Sequence, residues 1–149
     1  MSNETKQAVV KVLIQTDACY LFSKKRKPGS RGDRRLEMIG GKVKRDEQPL
    51  DALIREASEE EPSGILSTEV ERQRPRFMEI DIDGQKHFIG KISVNDARVR
   101  SLTHDRKESY GFESIESRVV EDPQELMKPE NLSKFTPKTI KIFRQLQLI

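Results

Sequence analysis

The chain has little cysteine, little aromatic surface and no long apolar run, and each shortage excludes a class of protein. Among its 149 residues Cys19 is the single cysteine, so no disulfide can form within the chain, and a reducing cytoplasm is the compartment we expect. Cys19 lies in an apolar segment, where a small buried thiol is a better interpretation than a nucleophile. No apolar run approaches the roughly 18 residues of a membrane span, and residues 1–6 lack a signal-peptide pattern.

Charge is what the chain has in abundance. Charged residues make up 36% and hydrophobic residues 34% of the sequence, which predicts one soluble domain over residues 1–149. The net charge is only +3, but basic residues concentrate in the stretch Lys24–Arg35, called here the basic loop. It could steer a polyphosphate or bind nucleic acid weakly, and a solubilising surface loop is the alternative. Without interleaved aromatic residues it lacks the stacking surface of a single-strand binder.

A helix is predicted in the middle of the chain. Pro49 suits its first turn, where the missing N–H does no harm, and we expect the helix to run from about Gln48 to Glu61. Its apolar residues recur with the spacing of one helical face, which should pack on a core. They are Leu50, Leu53, Ile54 and Ala57.

Three acids gather at the C-terminal end of this helix. At about 100° per residue, Glu56 and Glu60 project about 40° apart, and Glu59 lies about 60° on the other side of Glu56. Glu60 falls at the edge of the apolar stripe, so it cannot be fully solvated. Like charges at this spacing repel, and the helix macrodipole disfavours anions at this end. A hard cation such as Mg²⁺ or Mn²⁺ suits the all-oxygen set; a solvated acidic helix end is the alternative.

Other patterns predict strands around this helix. β-branched runs, glycines and helix-capping residues mark the elements. Strands are expected at 8–15, 19–23, 36–39, late in 69–81, at 85–94 and at 110–115, a short helix from Ser114, and a final helix capped by Thr136 and begun by Pro137. Asp83-Gly84 predicts a two-residue hairpin turn. Strands and helices in this order indicate an α+β layer fold.

The residues around the acidic helix resemble the Nudix hydrolase signature. That signature runs G, five residues, E, seven residues, R-E, an aliphatic residue, one residue and E-E. The chain matches its fixed positions with Gly41, Glu47, Arg55, Glu56, Glu59 and Glu60. The glycine expected soon afterwards is either replaced by Pro62 or shifted to Gly64 by two extra residues. We favour the second reading, because Gly64 can supply the positive φ that ends a helix.

The resemblance implies a fold, a reaction and a metal. It sharpens the fold to the Nudix α/β/α sandwich, a mixed sheet between helices. Family members cleave the pyrophosphate bond of a nucleoside diphosphate linked to another moiety. In this chain the resemblance implies Mg²⁺ or Mn²⁺ held by Glu56, Glu59 and Glu60 with the carbonyl of Gly41. The resemblance also implies that Arg55 pairs with Glu47 and orients these carboxylates.

The general base is open. In the family it is a signature glutamate or an acid on a loop beyond the second hairpin. Glu108 is our candidate here, with Glu113 and Asp105 beside it, and an exposed loop charge is the alternative for each. His104 and His87 are expected at the surface or in the sheet rather than on a metal.

Substrate and partners are only hinted at. Glu37 resembles the glutamate that precedes the signature in several ADP-sugar hydrolases, which favours ADP-ribose or a related dinucleotide. Oxidised nucleoside triphosphates are an alternative substrate. A nucleotide-binding or RNA-binding regulatory domain, or a decapping protein that uses the basic loop, is an alternative function. Whether the chain forms a homodimer stays an open question, and no membrane partner is expected.

Overall fold

The computed structural model describes residues 6–16, 20–25, 36–61, 63–95, 113–116, 128, 130 and 135–146. Its elements are β1 Val9–Gln15, β2 Tyr20–Lys25, β3 Leu36–Glu37, β4 Ile39–Lys42, α1 Pro49–Glu60, α2 Ile65–Gln73, β5 Met78–Ile82, β6 Gln85–Ser93, β7 Glu113–Glu116 and α3 Pro137–Gln145. Within these ranges no helix has both the length and the apolar character needed to cross a membrane.

The sheet is mixed and is built around β1. This strand pairs in parallel with β6 and antiparallel with β4, while its last residues pair antiparallel with β2. The principal order is β3-β2-β1-β6-β5, and β7 pairs with β2. β1 occupies the centre because its apolar run is buried on both faces, as parallel pairing requires.

Each face of the sheet carries its own core. One face packs on α1 and α2 through residues that include Val12, Leu53 and Leu66. The opposite face packs on α3 through residues that include Leu13, Ile89 and Phe143. Side chains alternate between the faces along β1 because successive residues of a strand point to opposite sides. The predicted α/β/α sandwich with its mixed sheet is confirmed.

Local signals placed most elements correctly. The helix predicted from about Gln48 to Glu61 is α1, and its apolar stripe faces the core. The turn at Asp83-Gly84 joins β5 to β6 with φ of 52° and 79°, the two positive values that such a hairpin needs. Thr136 caps α3, accepting a hydrogen bond from the N–H of Thr139 at 3.3 Å.

Two secondary-structure predictions were wrong. Residues 65–73 form α2, although no helix was predicted there and the residues from Glu69 onward were interpreted as a mostly polar segment that leads into a strand. Few of its residues are apolar: of its buried residues Leu66, Glu69 and Val70, one is an acid. The short helix expected from Ser114 is instead strand as far as Glu116, because these residues pair with β2.

Candidate metal and active site

Two glycines bring β4 close to its neighbours. Gly40 lies opposite Lys11 on β1 with φ of 147°, and a Cβ there would overlap the carbonyl of Val10. At Gly41 a Cβ would overlap the carboxylate of Glu56. The Glu56 side chain therefore lies directly against the backbone of β4, in a space that only glycine leaves open.

Arg55 ties the loop before α1 to the helix. Its Nε donates to Glu47 Oε2 and its Nη2 to Glu47 Oε1, each at 3.0 Å, and Nη2 also donates to the carbonyl of Lys42 at 3.0 Å. The backbone N–H of Lys44 donates to Glu47 Oε1 at 2.9 Å. A two-point bond between a planar guanidinium and a carboxylate fixes direction as well as distance. The loop, the end of β4 and α1 are thus held together by one side chain.

The same bonds keep this pair charged. The guanidinium of Arg55 first, and the N–H of Lys44 second, lower the pKa of Glu47 from 4.5 to about 2. The bond to Glu47 in turn raises the pKa of Arg55 further above its ordinary value. Neither group changes its charge near neutral pH, so Glu47 and Arg55 form a permanent structural ion pair and do not transfer protons.

Arg55 also touches two of the predicted metal ligands. Its Nη1 lies 2.9 Å from Glu56 Oε1 and 3.5 Å from Glu59 Oε1. The Glu56 side chain is 17% exposed and that of Glu59 58% exposed. Two carboxylates on successive turns therefore converge on one cationic group at the mouth of the site.

Glu60 takes a different direction. It is buried, as its place at the edge of the apolar stripe predicted. Its Oε2 accepts a hydrogen bond from the backbone N–H of Gly40 at 2.9 Å. Glu56 and Glu60 hence lie against successive residues of β4, Gly41 and Gly40.

The donor set fits a divalent cation in its chemistry. Carboxylate oxygens and a backbone carbonyl are the ligands that Mg²⁺ and Mn²⁺ prefer, and the space at Gly41 lets Glu56 approach that backbone. In the part of the chain that the structure describes, no three His, Cys, Asp or Glu side chains already converge as a metal-holding group. For Glu59 to share an ion with Glu56, its carboxylate would have to leave Arg55 Nη1, which lies 3.5 Å from its Oε1.

The candidate bases Asp105 and Glu108 lie outside the described residues, as do His104, Cys19 and positions 26–35 of the basic loop. The backbone of Glu113 begins β7 and pairs with Lys25 at the end of β2, so this alternative base lies in a strand next to the start of the basic loop. His87 lies in the sheet, one of the two positions expected. It is fully buried, with Nδ1 3.0 Å from the carbonyl of Gln85, and burial lowers its pKa.

One buried acid beside the site was missed from the sequence. Glu61 is 2% exposed and accepts hydrogen bonds from the N–H groups of Ser63 and Leu66. An anion near a helix start is favoured, but no helix was predicted at residues 65–73, so this role of Glu61 was not predicted either. Gly64 has the predicted positive φ, 87°, but it does not end α1 as predicted: α1 ends at Glu60 with Glu61 as its C-cap, and Gly64 is the N-cap of α2.

Comparison with known proteins supports the fold. No protein-family model and no curated protein matches the sequence. Among solved structures, a protein from Chromobacterium violaceum described as a nudix hydrolase family member has a TM-score of 0.56 at 16% identity, over 99% of this chain and 79% of that one. The MutT protein from Methanosarcina mazei Go1 has 0.53 at 16% identity, over 99% and 96%.

A NUDIX hydrolase from Nitrosomonas europaea is similar to the same degree, with a TM-score of 0.52 at 17% identity over 95% of this chain and 88% of that one. Identities this low show a shared fold. The chain has the Nudix fold, and the resemblance found in its signature is confirmed at that level. The activity of the chain has to be argued from its own residues.

Proposed function

We propose that this protein is a divalent-metal-dependent hydrolase that cleaves the pyrophosphate bond of a nucleoside diphosphate linked to another moiety. The observation that carries the proposal is the contact of the Glu56 carboxylate with Gly41. Beside it, Arg55 donates hydrogen bonds to Glu47, to Glu56 and to the carbonyl of Lys42 at the end of β4. The contacts of Arg55 with Glu47 and Glu56, beside Gly41, support the proposal because these residues match fixed positions of the signature.

The chemistry explains why such residues are needed. A diphosphate is polyanionic and repels an attacking hydroxide; a bound divalent metal neutralises its oxygens and lowers the pKa of a bound water. Glu56, Glu59 and Glu60, with the carbonyl of Gly41, would hold that metal. Arg55 would orient Glu56 through the bond between Nη1 and Oε1. Glu47 keeps the guanidinium in place from the opposite side.

Glu108 is the proposed general base. In the reaction, a water oxygen forms a bond to phosphorus, the bridging P–O bond breaks, and the base takes the proton of the water. Glu108→Gln should therefore remove most of the activity and leave metal affinity unchanged. An unaffected rate would discard this assignment, and the same measurement on Glu113→Gln and Asp105→Asn would then identify the base.

ADP-ribose or a related dinucleotide is the favoured substrate. Glu37, the residue that suggests it, pairs in the sheet with Ser23 and lies two residues before β4 begins. A panel of ADP-ribose, dinucleoside polyphosphates, NADH, FAD, a nucleotide sugar and several (d)NTPs, each with Mg²⁺ and with Mn²⁺, tests the proposal. Phosphate release with and without added phosphatase separates the product classes. Preference for (d)NTPs would select the alternative substrate.

A nucleotide-binding or RNA-binding domain without turnover is the rival function. Such domains usually lose the acids of the signature, whereas this chain keeps Glu56, Glu59 and Glu60 together with Arg55. Salt-sensitive RNA affinity that disappears when the basic loop is neutralised would favour the rival. Absence of turnover across the substrate panel would favour it as well.

A further inference from the structure

Glu61 is a buried acid that the proposed metal set does not use. It follows Glu60 directly and is only 2% exposed. A carboxylate rarely stays so buried unless donors satisfy it. Its two oxygens divide between two backbone groups: Oε2 accepts from the N–H of Ser63 at 2.6 Å, and Oε1 accepts from the N–H of Leu66 at 3.0 Å.

The Leu66 donor lies in the first turn of α2, and the Ser63 donor lies just before its N-cap residue, Gly64. That helix opens at Gly64, which has no side chain to cap it, and its first turn contains no acidic residue. The unbonded N–H groups of a helix start and their partial positive charge favour an anion. Glu61 supplies this anion from the preceding segment.

The backbone of Glu61 also closes α1. Its N–H donates to the carbonyl of Ala57 at 2.8 Å, the last bond of that helix. Glu61 is thus bonded to α1 through its main chain and to α2 through its side chain. Ala57 and Leu66 pack in the same core cluster, so this elbow between the helices is closed by both packing and hydrogen bonds.

We infer that Glu61 is a positioning residue, whose carboxylate fixes the last turn of α1 and through it the direction of Glu59 and Glu60. Glu60 shows the link, because its Oε2 meets the N–H of Gly40 at 2.9 Å and can do so only while that turn stays in place. Without its side chain, the last turn of α1 would be free to fray. The consequence for metal binding rests on the proposed function, but the geometry does not.

The Gly40 amide tests the geometry without any metal. In ¹⁵N–¹H spectra, Glu60→Gln gives the reference shift for a weakened bond to Gly40. We expect Glu61→Ala to move the Gly40 amide in the same direction. Glu69→Ala is the matched control, since Glu69 is also a buried acid but bonds within α2 to Arg72 and Gln73. A Gly40 amide that stays at its wild-type position in Glu61→Ala overturns the inference.

Metal affinity tests the consequence. Loss of a residue that orients metal ligands commonly weakens affinity about 10- to 100-fold, so we expect Glu61→Ala to weaken Mn²⁺ binding, followed by electron paramagnetic resonance, by at least about tenfold. Glu61→Gln keeps one acceptor oxygen and should fall in between; it carries the test if the alanine variant does not fold. Glu69→Ala should bind Mn²⁺ like the wild type.

The outcomes separate the two claims. Wild-type Mn²⁺ affinity in both Glu61 variants would overturn the positioning role and leave the proposed function intact. A wild-type protein that binds no Mn²⁺ would contradict the proposed function, and the Gly40 amide would still decide whether Glu61 positions Glu60.

Discussion

Two ion-pair networks in this molecule have nearly equal bond lengths, 3.0 Å and 2.9 Å, but different exposure to solvent. Arg55 joins Glu47 through two bonds of 3.0 Å, with side chains 23% and 16% exposed. Lys141 reaches both carboxylate oxygens of Asp83 at 2.9 Å, with side chains 49% and 64% exposed. The two pairs differ in exposure to solvent and not in bond length. Water and salt screen an exposed ion pair far more than a half-buried one.

The networks also differ in what depends on them. Arg55 holds Glu56 and the carbonyl of Lys42 as well as Glu47, so its loss would release a proposed metal ligand. The second pair joins α3 to a hairpin turn that Lys6 already holds through the carbonyl of Asp83. Connection to other groups, more than charge itself, should therefore decide which substitutions matter.

The largest effect is expected at Glu56. Glu56→Gln keeps the shape of the side chain against Gly41 but removes the charge that would hold a metal. Removing one electrostatic contact to the reacting groups often lowers the rate about 100- to 1,000-fold, and we expect a loss of at least that size. Turnover of the best substrate at saturating Mg²⁺ measures it. A rate within a few-fold of wild type would contradict the metal role.

Arg55→Lys should come next. Lysine keeps the positive charge but cannot form the two-point bond to Glu47 while also reaching Glu56. Because Arg55 orients a proposed ligand and does not hold the metal itself, we expect activity to fall about 10- to 100-fold. The Mg²⁺ concentration needed for half-maximal activity should rise as well. If lysine restored full activity, charge alone would explain the role of Arg55.

The Glu47–Arg55 pair should appear in the pH dependence of stability. The folded pKa of Glu47, about 2, lies below its ordinary 4.5. Its contribution to stability is therefore complete above pH 4.5 and is lost as the pH falls toward 2. Urea unfolding across this range should show a shallower pH dependence for Glu47→Gln than for the wild type. Equal slopes for the two proteins would contradict the depressed pKa.

The smallest effect is expected at the exposed pair. Lys141→Ala removes the partner that lowers the pKa of Asp83, but pairs this exposed often make no measurable contribution to stability. Thermal unfolding at low and at high salt should give nearly the same midpoint for variant and wild type. A fall in the midpoint as large as Arg55→Lys causes in the same thermal unfolding measurement would erase the distinction between the two networks.

The sequence predicted those parts of the molecule that local spacing controls. The apolar stripe of α1 repeats along one helix face, and the turn at Asp83-Gly84 needs only its own two residues. The burial of Glu60 followed from the same helical spacing. The contact of Arg55 with Glu47, eight residues away, was expected only through the family resemblance.

What the sequence missed depends on contacts made elsewhere in the chain. α2 has few apolar residues, and it is stabilised by packing on α1 and by the carboxylate of Glu61. A short helix was predicted to start at Ser114, but residues 114–116 pair with β2 as a strand. Propensity is a weak guide where tertiary packing decides. The contacts of Glu61 were not predictable from local spacing, because they join two helices, one of which was not predicted.

Binding of Mn²⁺ to the wild-type protein and to Glu56→Gln, titrated in the presence of a non-hydrolysable nucleotide analogue, tests the central claim most directly. We expect saturable binding by the wild type and at least about a tenfold weaker affinity in the variant. No binding by the wild type, or equal affinity in the two proteins, would contradict the metal site formed by α1 and β4.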